Sequence, residues 1–170
     1  MISFRERRFI NFRHFAFSDP RDHGRRWVDV KCFEVGALAS GDESVLRALF
    51  GDKRFIDDYA GGGLDTAGQI HGPYQLGLIT VDAYERIDAM AAISILDAWA
   101  RQYGSVPADL DEALKNEVCA LISSAGSCYR LKALGDGAFH DWGGVHTDFH
   151  ELVAIDRVAG AVALIVAADD

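Results

Sequence analysis

Cysteine, proline and long apolar runs are all scarce in this chain of 170 residues. The three cysteines, Cys32, Cys119 and Cys128, are an odd number and form no CxxC pair. That argues against a disulfide framework or a zinc knuckle and leaves reduced, mostly buried thiols as the reading. Three prolines and no low-complexity tract exclude a disordered chain. The longest apolar runs, Ala89–Leu96 with Ser94 inside it and Ala159–Ala168, fall far short of the ~20 residues that span a bilayer. The first residues are basic, but no apolar segment of a secretory signal follows them. The chain is therefore expected to stay in the cytoplasm and off the membrane.

Cations are also scarce beyond the N-terminus. Residues 1–31 carry eight Lys/Arg against four Asp/Glu, whereas the rest carries nine against twenty-two, for a net charge of −9. A body this acidic repels nucleic-acid phosphates and anionic membranes and attracts a basic protein. The N-terminal arginines alternate with aromatics in "RRFINFRHFAF" (7–17), which reads as a strand with one wet face rather than a nucleic-acid-binding arm.

What is present fits one α+β domain over residues 1–170. Residues 7–17 and "WVDVKCFEV" (27–35) alternate and read as an antiparallel pair around a turn at 18–26. A broken apolar stripe over 42–59, with Asp42 as cap and Gly51 inside, predicts two short helices. Residues 60–77 form a long loop with six glycines. Thr80 is placed to cap a helix whose face is Tyr84, Ile87, Ala91, Ile95 and Ala98 and which ends at Gly104. Asp109 and Glu112 then form a capping box for a second helix ending at Gly126. "CYRLKAL" (128–134), 148–156 and 161–169 complete the sheet, the last two joined by "RVAG". The expected architecture is an antiparallel sheet of about five strands with two main helices packed on one face.

"HDWGGVHTDFHE" (140–151) is the densest cluster of chemistry-bearing residues. His146, Asp148 and His150 alternate, and two histidines with a carboxylate suit a non-haem iron site. Spacing opposes this. Residues four apart on a strand are about 13 Å distant, too far for two imidazoles to share one metal without help from His140 or a remote ligand. The segment also lacks the glutamate of H-E-x-x-H. The plainer reading is a turn leading into a strand, with Trp142 capping the core edge and His150 and Glu151 at the rim of the sheet. A metal-dependent enzyme built on His140, His146, Asp148 and His150 is the alternative.

Other chemistry is thin. Cys32 lies beside Lys31 with no base near it in sequence, so it reads as a core thiol. The glycine loop matches neither G-x-G-x-x-G nor G-x-x-x-x-G-K-[ST], so no phosphate cradle and no cofactor are expected. A loop this long serves more often as a lid or contact surface than as inert chain. On charge and loop position, the residues expected to meet a partner are Asp57, Asp58, Asp65, His71, Tyr74 and Asp148. A third reading is a structural subunit joined through an edge at Ala161–Asp169.

The last segment, "FHELVAIDRVAGAVALIVAADD", resembles the C-terminal hairpin of bacterial immunity proteins encoded beside polymorphic toxins, over about residues 139–170. The resemblance implies a cytoplasmic, acidic, non-enzymatic α+β domain that neutralises one cognate toxin by covering its active site. A toxin with a basic cleft would be met quickly by an acidic inhibitor through charge steering.

Overall fold

The computed structural model describes residues 1–19, 25–37, 40–60 and 68–169. The architecture is α+β. Six antiparallel strands form one sheet in the order β1 (Ile2–Asn11), β2 (Arg26–Val35), β8 (Ala161–Asp169), β7 (Asp148–Asp156), β6 (Ser127–Leu131), β5 (Tyr84–Ile87). A separate two-residue hairpin pairs β3 (Ile70–His71) with β4 (Tyr74–Gln75). The helices are α1 (Asp42–Phe50), α2 (Ala89–Arg101) and a third that runs from α3 (Ala108–Leu114) through a π turn (Lys115–Cys119) into α4 (Ala120–Ser124).

The C-terminal hairpin forms as its sequence predicts. β7 and β8 pair from Asp148↔Asp169 to Asp156↔Ala161. Gly160 takes a φ of +64° in the connecting turn, a conformation that favours glycine. β8 is buried from Val162 to Asp169. An unbroken apolar run is what a strand covered on both faces requires. It lies between β2 and β7, so Ala161–Asp169 offers no free edge for a second subunit.

The two faces of the sheet carry separate cores. Val28, Val30, Leu152, Ala154, Ile165 and Ala167 point to α2 and to the α3–α4 helix, meeting Leu96, Trp99, Leu110, Val118 and Ile122. The two main helices thus share one face, as expected. The opposite face is covered too: α1 brings Val45, Leu46 and Leu49 against Phe33, Val153, Ile155 and Leu164.

The first strand is Ile2–Asn11 rather than residues 7–17, and the helix from Ala108 forms without the Asp109–Glu112 capping box. Three further expectations are corrected. The segment after α1 is a series of turns rather than a second short helix. The helix expected from Thr80 begins at Ala89, where the Asp88 carboxylate accepts from the Ala91 N–H at 2.7 Å. Its buried face is Ala92, Leu96, Trp99 and Ala100. Tyr84–Ile87 instead pairs with β6 as a sixth strand. Asp42 does not cap its own helix; its carboxylate accepts from the Ser127 hydroxyl at 2.5 Å and the Tyr129 hydroxyl at 2.9 Å, tying α1 to β6. Among the described residues, no helix is long and apolar enough to cross a membrane.

Candidate functional site

Alternation on β2 sends Asp29 and Lys31 to the face opposite the main helices, and both are buried. Burial of a charge is tolerated only when it is paired and hydrogen-bonded, and each finds its partners. Arg7 Nε donates to Asp29 Oδ1 at 2.6 Å from the neighbouring strand. Lys31 Nζ donates to Asp57 Oδ2 at 2.7 Å, to the Arg54 carbonyl at 2.9 Å and to the Tyr59 hydroxyl at 3.2 Å. These use its three donors. Burial pushes the Asp29 carboxyl above its ordinary range, against the opposing pull of Arg7 and Lys31. Tyr59 holds a φ of +58°, an unfavourable conformation for a bulky residue. Its backbone N–H donates to Asp57 Oδ1 at 2.9 Å, and its ring lies under the Lys31 ammonium at 4.4 Å.

A second buried group adjoins the first. The His71 ring stacks on Phe55 at 3.6 Å between centroids. Its Nδ1 meets the Phe55 carbonyl, and its Nε2 lies 2.5 Å from Glu151 Oε2. Tyr84 donates its hydroxyl to the other Glu151 oxygen. A carbonyl only accepts, so Nδ1 carries a hydrogen, and the Nε2–Oε2 contact holds one proton between imidazole and carboxylate. The Tyr84 hydroxyl is pushed well up by burial and by Glu151, so it stays a donor. This His–Glu–Tyr array has the composition of a proton relay, but the His71 and Glu151 side chains are wholly buried. It joins β3, β5, β7 and the turn at Phe55 beneath the surface.

The histidine stretch folds over the outer end of this network. The His140 Nε2–H donates to the Gly72 carbonyl at 2.8 Å, and its Nδ1 accepts from the Trp142 N–H at 3.2 Å. His146 Nε2–H donates to the Asp58 carbonyl at 2.9 Å. A Cβ on Gly143 would lie 2.1 Å from the Pro73 carbonyl oxygen, so only glycine fits there. The segment is stapled to Asp58, Gly72 and Pro73 through side chains and close backbone contact. The expectation that Trp142 caps the core edge is overturned: its indole is 52% exposed, next to Val145 at 49%. The Trp142 Nε1–H donates to Asp58 Oδ2 at 3.2 Å.

The four residues of the metal alternative do not converge on one point. His140 and His146 serve backbone carbonyls. Asp148 Oδ2 accepts from Gln102 Nε2 at 2.9 Å. His150 shares the helix-side face of β7 with Asp148, opposite the face on which His146 packs against Phe149, and burial lowers the pKa of its imidazole. The alternation holds for Asp148 and His150 but not for His146, because β7 begins at Asp148 and leaves His146 outside the strand. Among the described residues, no group of three or more His, Cys, Asp or Glu is placed to hold a metal ion. Cys32 sits in the floor of a 580 Å³ cleft with Arg5, Arg8 and Leu121, and burial pushes its thiol up, away from a reactive thiolate.

The six expected partner contacts divide. Asp57, His71 and Tyr74 are buried and are corrected to interior residues; the Tyr74 hydroxyl accepts from the Leu134 N–H at 3.3 Å. Asp58 and Asp148 reach the surface in part. Asp65 lies outside the described residues. Asp141 and Trp142 are exposed beside Asp58. Residues 55–85 and 133–156 each contain five Asp/Glu and no Lys or Arg, and the hydrogen bonds above bring these two segments together.

Comparison with protein families finds no matching family, and a search of curated proteins finds no significant match.

Proposed function

We propose that the chain is an intracellular, non-enzymatic binding protein that neutralises a basic protein by covering its working surface, in the manner of a toxin-immunity protein. The observation that carries this reading is the exposed turn at Asp141 and Trp142, tied to Asp58 by hydrogen bonds from Trp142 and His146, so that two surface carboxylates flank an exposed indole. Such a surface attracts a basic partner over several ångströms and repels phosphate backbones. The interior supports it in a second way. The charged groups best suited to acid–base chemistry are spent on one another beneath the surface, giving rigidity rather than reactivity.

The test is capture followed by assay. Immobilised protein is exposed at low salt to lysate of the native cell, and any retained protein is identified and assayed alone and in complex. The reading predicts one basic protein, bound one to one, whose activity falls on binding. An eluate without such a protein, or turnover of a substrate by the chain itself, contradicts it.

A further inference from the structure

The exposed turn says more about the partner than charge alone does. Trp142 is the one tryptophan of three that stands clear of the interior: Trp27 and Trp99 are 7% and 2% exposed. Its N–H is already bonded to Asp58, so the indole presents its apolar faces outward with no donor left unsatisfied. The His140 ring stands edge-on to it at 5.1 Å. Gly144 beside it is exposed, with open space around its Cα, and Val145 extends the apolar area. Asp58 and Asp141 flank this patch, and neither contributing segment supplies a cation.

Resting on the binding-protein reading, we infer that Trp142 is the central anchor of the interface, and that it enters an apolar pocket rimmed by Lys or Arg on a basic protein. Tryptophan is among the residues most enriched at energetic hot spots, which cluster near the centre of an interface. The usual cost of ordering such a side chain is reduced here, because the turn is already held by His140, His146 and the Gly143–Pro73 contact. The acidic flank selects the rim. A basic rim pairs with Asp58 and Asp141, whereas an acidic surface, a nucleic acid or an anionic bilayer meets like charge.

The experiment uses the full chain in four forms: wild type, Trp142→Ala, Trp142→Phe and Gly144→Arg. The last places a long cation where the structure has open space, so it blocks the patch without disturbing the fold. Each form is checked for an unchanged urea midpoint. Each is then titrated against the basic protein retained from native lysate, and against vesicles of anionic phosphatidylserine. The inference predicts at least ~10-fold weaker binding for Trp142→Ala and for Gly144→Arg, mostly through faster dissociation, with Trp142→Phe recovering part of the loss. A retained partner that binds all four forms equally overturns the anchor and leaves the binding-protein reading standing. No retained protein overturns both. Trp142-dependent binding to the vesicles overturns the assignment of a protein partner.

Discussion

His71 Nε2 and Glu151 Oε2 lie 2.5 Å apart across 80 residues of sequence, and neither side chain is exposed to solvent. This contact joins the short β3–β4 hairpin to the central strand β7, and the Tyr84 hydroxyl bonds the same carboxylate from the edge strand β5. Removing the carboxylate leaves the His71 Nε2 and the Tyr84 hydroxyl buried without partners. Glu151→Leu is therefore expected to destabilise the fold by ~3–5 kcal/mol. Glu151→Gln is expected to cost distinctly less, because an amide can accept from Tyr84 and donate to His71. Urea unfolding at constant slope measures both. Equal losses for the two variants would show that the hydrogen bonds are not what the site requires.

Asp42 predicts a pH dependence. Burial alone would raise its carboxyl pKa, but the hydroxyls of Ser127 and Tyr129 and the Arg157 charge outweigh it, and the net shift is downward. A carboxyl lowered by folding contributes stability that is fully present above its unfolded pKa, about 3.9. That contribution is lost as pH falls through the lower folded value. Asp42→Asn should thus be less stable than wild type at neutral pH, by ~1 kcal/mol. The gap should close in strong acid, well below pH ~4. A gap that stays constant down to the lowest pH would show that the charge of Asp42 is not involved.

Gly143 tests the stapled turn. A methyl group there meets the Pro73 carbonyl, so Gly143→Ala must push the turn away from residues 72–73. The expected cost is ~1–3 kcal/mol, which corresponds to a Tm lower by roughly 2–12 °C for a chain of this size. Gly144→Ala, with nothing within 4 Å of its added carbon, is expected to leave Tm within ~1 °C of wild type, since surface changes away from such contacts are small. Similar behaviour of the two variants would argue against the close Gly143–Pro73 contact.

The thiols should be slow to react. Burial raises the pKa of Cys32, Cys119 and Cys128 alike, and only the thiolate attacks a disulfide reagent. Titration with an aromatic disulfide at neutral pH is expected to proceed slowly in the native protein and to count three thiols rapidly in denaturant. A fast phase in the native protein would mark an activated cysteine and reopen an enzymatic reading.

Much of this fold is legible in the chain. The two apolar runs flanking Arg157–Gly160, the alternation of residues 27–35 and the stripe of the α3–α4 helix each carry their own periodicity. Tyr84–Ile87 is harder, because its apolar residues stand three apart and merge with the stripe of α2. What decides is a partner, β6, over 40 residues away. The buried charges are least legible of all. On β2, Asp29 and Lys31 look like the wet side of a strand, and Asp57 looks like a surface acid. Their burial follows from Arg7, Asp57 and Tyr59 arriving from other elements. The exposure of Trp142 is hidden for the converse reason: an indole reads as core until the turn that carries it is seen to be held by hydrogen bonds from His140 and His146.

The central claim is that the acidic end around Asp58, Asp141 and Trp142 steers and seats a basic protein. The most direct measurement is the association rate of the captured partner at ionic strengths from ~20 mM to ~200 mM, for wild type and for the double variant Asp58→Asn, Asp141→Asn. The account predicts a rate that falls about tenfold or more with added salt for wild type. For the double variant it predicts a slower rate at low salt and a flatter dependence. A rate indifferent to salt, or the same for both proteins, would contradict it.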